Sequence, residues 1–237
     1  MARYELYYWS GIQGRGEFVR LALEDAGADY LDVGRGKRGD DAVARGLQGS
    51  LGGLRPFAPP YLRHGKIVVA QTANVLAYLA PRLGLVPTSA PARLAAHQHQ
   101  LTIADFIVEV HDTHHPEGPT YYFEDQRPSA RRRAAAFLDD RLPRFMGYFE
   151  AVLEANGGKH FVGRGVSTVD LSMFQIVCGL RYAFPRRFGR YQKKIPGIVA
   201  LSDRVAARPR LAAYLASQRR IPFNEDGIFR HYPELDV

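Results

Sequence analysis

The sequence predicts a small α/β domain over residues 1–83 joined to an all-helical domain over residues 92–237. Three observations predict it. Before Leu83, short runs rich in aromatic and β-branched residues alternate with helical periodicity. Pro81, Pro87 and Pro91 then punctuate the chain, and beyond them apolar residues recur at steps of three and four.

Tyr4-Glu5-Leu6-Tyr7-Tyr8-Trp9 reads as a strand, because aromatic side chains suit a pleated, half-buried surface. Gly11, Gly14 and Gly16 mark a loop, and from Glu17 the positions Phe18, Leu21, Ala22 and Ala26 repeat helically until Gly27 ends the run. Tyr30 to Val33 is a second short strand, parallel to the first because a helix connects them. Gly34 to Pro56 has weak periodicity and is expected to be a long loop with one short helix near Ala42 to Leu47. Pro59-Pro60-Tyr61-Leu62 enters a third strand, His64-Gly65 turns, Lys66 to Ala70 returns, and a helix runs from Thr72 to Leu83.

The second domain reads as helices over Arg93 to His115, Ala130 to Leu153, Ser167 to Tyr182, Gly197 to Ala207 and Arg210 to Gln218. Pro143 removes a backbone donor inside the second of these and is expected to bend it. Ser167 and Asp170 have capping-box spacing, a structural role. The tail from Arg219 to Val237 carries Ile221, Phe223, Phe229 and Tyr232 and is expected to fold back over the second domain or over the pocket.

Composition narrows the function classes. With 46% hydrophobic and 24% charged residues the chain is an ordinary globular one, and no apolar run approaches the ~18–20 residues that span a bilayer. The first residues lack a secretory signal, and Cys178 is the only cysteine, which removes intrachain disulfides and CxxC chemistry. A cytoplasmic protein without a membrane partner is expected. The net charge of +8 comes from scattered arginines, with runs at Arg131-Arg132-Arg133, Arg186-Arg187 and Arg219-Arg220 too short and too poor in aromatics for nucleic acid. A solvated basic surface is expected, with no nucleic-acid partner.

The order β-α-β, irregular segment, β-β-α is a thioredoxin-like arrangement, but the redox position after the first strand holds Tyr8-Trp9-Ser10-Gly11. Disulfide exchange is thereby unsupported. What remains there is a hydroxyl beside a glycine loop and a helix start.

On Leu6-Tyr7-Tyr8-Trp9, Gly14 to Arg20, Pro60-Tyr61-Leu62, Gln71-Thr72-Ala73-Asn74, Gly163 to Asp170 and Ile195 to Leu215, the sequence resembles the glutathione S-transferases of the tyrosine type (mu, alpha, pi and sigma). Each motif is weak alone; their order and spacing cover nearly the whole chain. The resemblance implies a thioredoxin-like glutathione-binding domain, a helical bundle and a homodimer. The implied activity is transfer of glutathione, a co-substrate rather than a cofactor, to a small hydrophobic electrophile. It leaves room for a non-catalytic binding or scaffold protein, and for a glutathione-dependent isomerase or peroxidase.

The resemblance places the thiol-stabilising hydroxyl on Tyr8. A hydroxyl that donates to a thiolate favours the charged form, and lowering a thiol pKa by about 2 units corresponds to ~2.7 kcal/mol. One extra residue separates Tyr8 from Gly14-Arg15, so Ser10 and Tyr7 remain alternatives, Tyr7 also reading as a packed strand aromatic. Pro60 matches the family's cis-proline, but Pro59 before it has no N–H and offers the peptide only a carbonyl. Gln71-Thr72, where a strand meets a helix N-terminus, suits the γ-glutamyl carboxylate. Asp105 matches an acid that reaches the partner subunit's glutathione. Trp9, His111 and His115 are expected to wall the acceptor-substrate pocket. His111 and His115 share a helical face and His114 adjoins them, but without a convincing third ligand no metal is expected.

Overall fold

The structure, a computed structural model, describes residues 2–237. Strands β1 (Tyr4–Tyr7), β2 (Tyr30–Asp32), β3 (Tyr61–His64) and β4 (Ile67–Ala70) form one sheet of order β2-β1-β3-β4. β1 runs parallel to β2 and antiparallel to β3, and β3 is antiparallel to β4. Side-chain alternation gives the sheet two faces. Leu6 and Leu62 meet Val19 and Leu23 of α1 (Gly16–Ala26) and Val75 and Leu79 of α3 (Thr72–Leu83) on one side. Tyr7 and Tyr61 stack at 4.7 Å on the other, against Val43 of α2 (Gly39–Leu47). The expected short helix is thus longer and begins three residues earlier than read. Asp40 and Asp41 in its first turn complement the helix dipole.

The helical domain comprises α4 (Ala90–Asp112), α5 (Arg127–Ala136), α6 (Leu142–Ala155), α7 (Thr168–Ala183), α8 (Pro185–Tyr191), α9 (Pro196–Ala206) and α10 (Pro209–Leu215). α5 and α6 run on through a π turn at Phe137–Arg141, directly before Pro143. The missing N–H of proline is absorbed by this local widening of the ladder. Helix α8, built from Pro185 and a polar run with only Phe188 buried, had no periodic signal strong enough to be read. The capping box forms: Asp170 accepts from the Ser167 backbone N–H at 2.7 Å and from that of Phe161 at 3.1 Å.

α1 has almost no solvent-facing side, because the sheet covers one flank and α7 and α10 the other. Its polar residues are therefore paired inside the protein. Tyr214 donates to Glu17 at 2.7 Å, and the Arg220 guanidinium also bonds Glu17. Arg20 is fully buried and donates to Asp32 at 2.7 Å, while Arg208 holds Asp25 at 2.5 and 2.9 Å. Burial of each charge is tolerable only with such partners. The tail packs on the helical domain, with Ile228 and Phe229 in its core and Asp236 accepting from the backbone N–H groups of Arg186 and Arg187 at 2.7 and 2.9 Å.

Candidate active site

Strand register gathers the predicted residues. Tyr7 pairs with Tyr61, and Tyr61 with Ala70. The next row along these strands is Tyr8, Pro60 and Gln71, so three separate motifs meet at one end of the sheet. The Pro59–Pro60 bond is cis, as the resemblance implied.

The three hydroxyls at the end of β1 have different commitments. Tyr7 donates to Glu5 at 2.8 Å, and burial beside that carboxylate pushes its pKa up to about 12. Ser10 donates to Asp40 Oδ2 at 2.9 Å while its backbone N–H reaches Oδ1, also at 2.9 Å. Tyr8 is 5% exposed, and its oxygen accepts from the Arg15 backbone N–H at 2.9 Å, at the start of α1. Among the described residues it has no acceptor for its own proton. Burial raises the Tyr8 pKa, opposed by the Arg15 N–H and by the Arg15 and Arg20 charges. The phenol therefore stays protonated at neutral pH and keeps one donor free.

Gly14 and Gly16 make this pose possible. A Cβ on Gly14 would sit 2.0 Å from the Tyr8 oxygen, and one on Gly16 would sit 2.5 Å from Tyr8 Cγ. Gly14 also has φ +44°, in the left-handed region that favours glycine. The ring can lie along the loop only because both side chains are missing.

A cleft of about 430 Å³ opens between the two domains, lined by Arg15, Gln71, Thr72, Asn74, His97 and Gln100 among others. Arg15 thus joins the Tyr8 hydroxyl to the cleft. Gln71 adopts φ +70°, uncommon for a side-chain-bearing residue, at the N-terminus of α3. The Thr72 hydroxyl is buried without a hydrogen-bond partner. An unpaired buried donor at a helix N-terminus, where backbone N–H groups are also free, suits a carboxylate.

Asp105 is exposed on α4, on the same face as the exposed Leu101 and Val108, and does not line the cleft of its own chain. Trp9 packs with the Tyr7 and Val43 cluster, on the face opposite α1. His111 and His115 lie side by side, ring centroids 5.1 Å apart, at the C-terminal end of α4, and burial, aided by the Arg15 charge, holds the His111 pKa down. Sequence reasoning missed Arg15, whose contribution is a backbone N–H and carries no side-chain signature. It also missed Asp40 as the partner of Ser10; an acid in the first turn of a Gly-led helix was the available signal.

The glutathione S-transferase C-terminal domain model matches residues 111–218. The chain is 24% identical over 222 residues to a glutathione S-transferase of Plasmodium falciparum, covering 90% of this chain and 95% of that protein. It is 27% identical over 228 residues to glutathione S-transferase P 1 of Xenopus laevis, covering 93% and 95%. Among solved structures, a Pi-class glutathione S-transferase of Onchocerca volvulus superposes with a TM-score of 0.73 at 22% identity, covering 96% of this chain and 99% of that one. A prostaglandin synthase D of Nilaparvata lugens superposes with a TM-score of 0.71 at 20% identity, covering 93% and 100%. The fold shared with these structures is a thioredoxin-like domain followed by a helical one.

Proposed function

We propose that the chain, which is similar over most of its length to glutathione S-transferases, acts as one: it ionises glutathione at Tyr8 and directs the sulfur at a small hydrophobic electrophile. The observation that carries this reading is the uncommitted proton of Tyr8. Its oxygen already accepts from Arg15, whereas Tyr7 and Ser10 spend their protons on Glu5 and Asp40. A thiolate placed beside Tyr8 would receive that proton as a hydrogen bond, favouring the charged form. The γ-glutamyl carboxylate would take the Thr72 hydroxyl and the free N–H groups of α3, beside Gln71. The peptide would lie along the Pro59–Pro60 bend. Proximity in the cleft would supply much of the rate gain, as in any two-substrate reaction.

The test is the ionisation of bound thiol, read by thiolate absorbance, with conjugation of chlorodinitrobenzene alongside. Tyr8→Phe is expected to raise the bound thiol pKa by ~1–2 units, the worth of one hydrogen bond to a charged group at ~1.5–3 kcal/mol. Ser10→Ala is expected to leave it unchanged. A shift with Ser10→Ala and none with Tyr8→Phe would move the role to Ser10. Glutathione binding without turnover would favour the scaffold reading, and turnover confined to isomerisation or peroxide reduction would favour those activities.

A homodimer is part of the proposal. Phe57 is 94% exposed in the loop before β3, free to enter a partner. An apolar groove of about 370 Å³ between α4 and α6, lined by Thr102, Arg141, Arg144, Phe145 and Tyr148, is of a size to take it. A two-fold pairing would bury each Phe57 in the partner's groove and turn the exposed α4 face, with Asp105, towards the neighbouring site.

A further inference from the structure

We propose that His111, His114 and His115 form a three-imidazole site for a divalent metal ion of borderline softness, with Zn²⁺ as the representative ion. One ring nitrogen from each lies within 4.8 Å of those of the other two. Small rotations bring them to the ~3.4 Å separation that metal–nitrogen bonds of ~2.05 Å set in a tetrahedron. Sequence reading found no third ligand because it continued the helix through His115, which puts His114 out of phase. The structure ends α4 at Asp112 and tightens the last turn: the Thr113 N–H bonds Val110 and the His114 N–H bonds His111, each at 3.2 Å. That tightening swings His114 in beside the other two.

The outer contacts are those of a ligand set. His114 Nε2 lies 2.8 Å from the Ile228 carbonyl, which makes Nε2 the protonated nitrogen; its Nδ1 accepts from His115 Nδ1–H, a hydrogen bond that a metal ion would replace as the two rings turn apart. His111 Nδ1 faces Asp112 at 3.5 Å, which leaves Nε2 free. A carbonyl and a carboxylate orienting the far ring nitrogens are the usual partners of metal-bound histidine. The rings are also ready to bind without losing protons, since burial holds His115 at about 4 and His114 at about 2.

The charged groups around the cluster come from four segments. Arg15 in the loop before α1 and Arg230 in the tail oppose a cation, while Asp112 on α4 and Glu124 in the turn after it favour one. The balance is near neutral, so the imidazoles decide affinity. Three ligands leave one position of a four-coordinate ion for water or another donor. The site does not depend on glutathione binding, and its test needs neither glutathione nor turnover.

Full-length protein without a histidine tag is titrated with ZnCl₂ by calorimetry, with MgCl₂ as the oxygen-preferring control. One equivalent of Zn²⁺ is expected to bind with a dissociation constant of about 1 μM or below, and Mg²⁺ to give no heat. His111→Ala removes the most accessible of the three rings and is expected to weaken binding at least ~10-fold while the thermal midpoint of the metal-free protein changes little. Arg230→Gln is expected to tighten binding, a response that a merely hydrogen-bonded histidine cluster would not give. Co²⁺ loaded in place of Zn²⁺ should show the intense visible bands of a tetrahedral site, lost in His111→Ala. Equal Zn²⁺ affinity in wild type and His111→Ala, or no one-equivalent binding at all, would overturn the proposal.

Discussion

Gly16→Ala probes the link between the glycine loop and the Tyr8 hydroxyl. By intrinsic helix propensity the change is favourable by up to ~1 kcal/mol, since alanine is the better helix former and position 16 opens α1. The structure opposes this. The added Cβ would lie 2.5 Å from Tyr8 Cγ, 2.6 Å from Cδ1 and 2.9 Å from Cβ. These atoms sit at the base of the side chain and cannot move without shifting the end of β1. Overpacking of this kind costs about 1–3 kcal/mol. The expected net effect is a loss of about 0–2 kcal/mol in urea unfolding. The larger consequence is geometric. Moving the ring outward by roughly 1 Å stretches the 2.9 Å Arg15 N–H contact beyond hydrogen-bond range. Bound-thiol ionisation should then shift towards that of Tyr8→Phe although the hydroxyl is still present. A Gly16→Ala protein that is more stable than wild type, with an unchanged thiol pKa, would refute the claim that the glycines place Tyr8.

The histidine cluster predicts acid sensitivity in metal-free protein. His114 and His115 titrate near 2 and 4 when folded and near ~6.5 when unfolded, so below pH ~6.5 the unfolded chain binds more protons and stability falls with pH. Each contributes a loss of about 2 kcal/mol between about pH 7.5 and 5, and His115→Asn should remove roughly half of that slope in urea midpoints; a pH-independent midpoint would contradict the burial of neutral rings. Phe57→Ser is expected to weaken self-association by at least ~10-fold in sedimentation, with monomer stability unchanged, because the side chain touches little in its own chain.

Much of the α/β domain was legible because its strands announce themselves locally. Tyr4 to Tyr7 and Ile67 to Ala70 carry strand-forming side chains, and the Gly27 terminus of α1 needs only its left-handed conformation, φ +64°. The clustering of Tyr8, Pro60 and Gln71 was legible only through family resemblance, since strand register is a long-range property. What stayed hidden depends on partners far apart in sequence or on backbone groups. Glu17, a first-turn acid of α1, is paired by Tyr214 and Arg220, about two hundred residues on. Ser10 stood as the alternative to Tyr8, and its bond to Asp40, thirty residues on, could not be read from the sequence. The early end of α4, which gathers the three histidines, follows from the Pro116 region and from packing against the tail, and helical periodicity overshoots such ends by a turn.

The enclosed α1 has a consequence for modularity. Its acids are answered by Arg208, Tyr214, Arg219 and Arg220, all of which belong to the other domain. The sheet domain is therefore not a transferable cassette, despite its self-sufficient topology. A chimera that kept residues 1–83 and borrowed a helical domain from a relative would leave these carboxylates short of partners, with Glu17 keeping only Arg20 and Glu24 only Tyr30, unless the donor supplied the three cations and the hydroxyl at the same places. The two halves are constrained to change together along this one helix, and recombination between family members should succeed only where that charge pattern is shared.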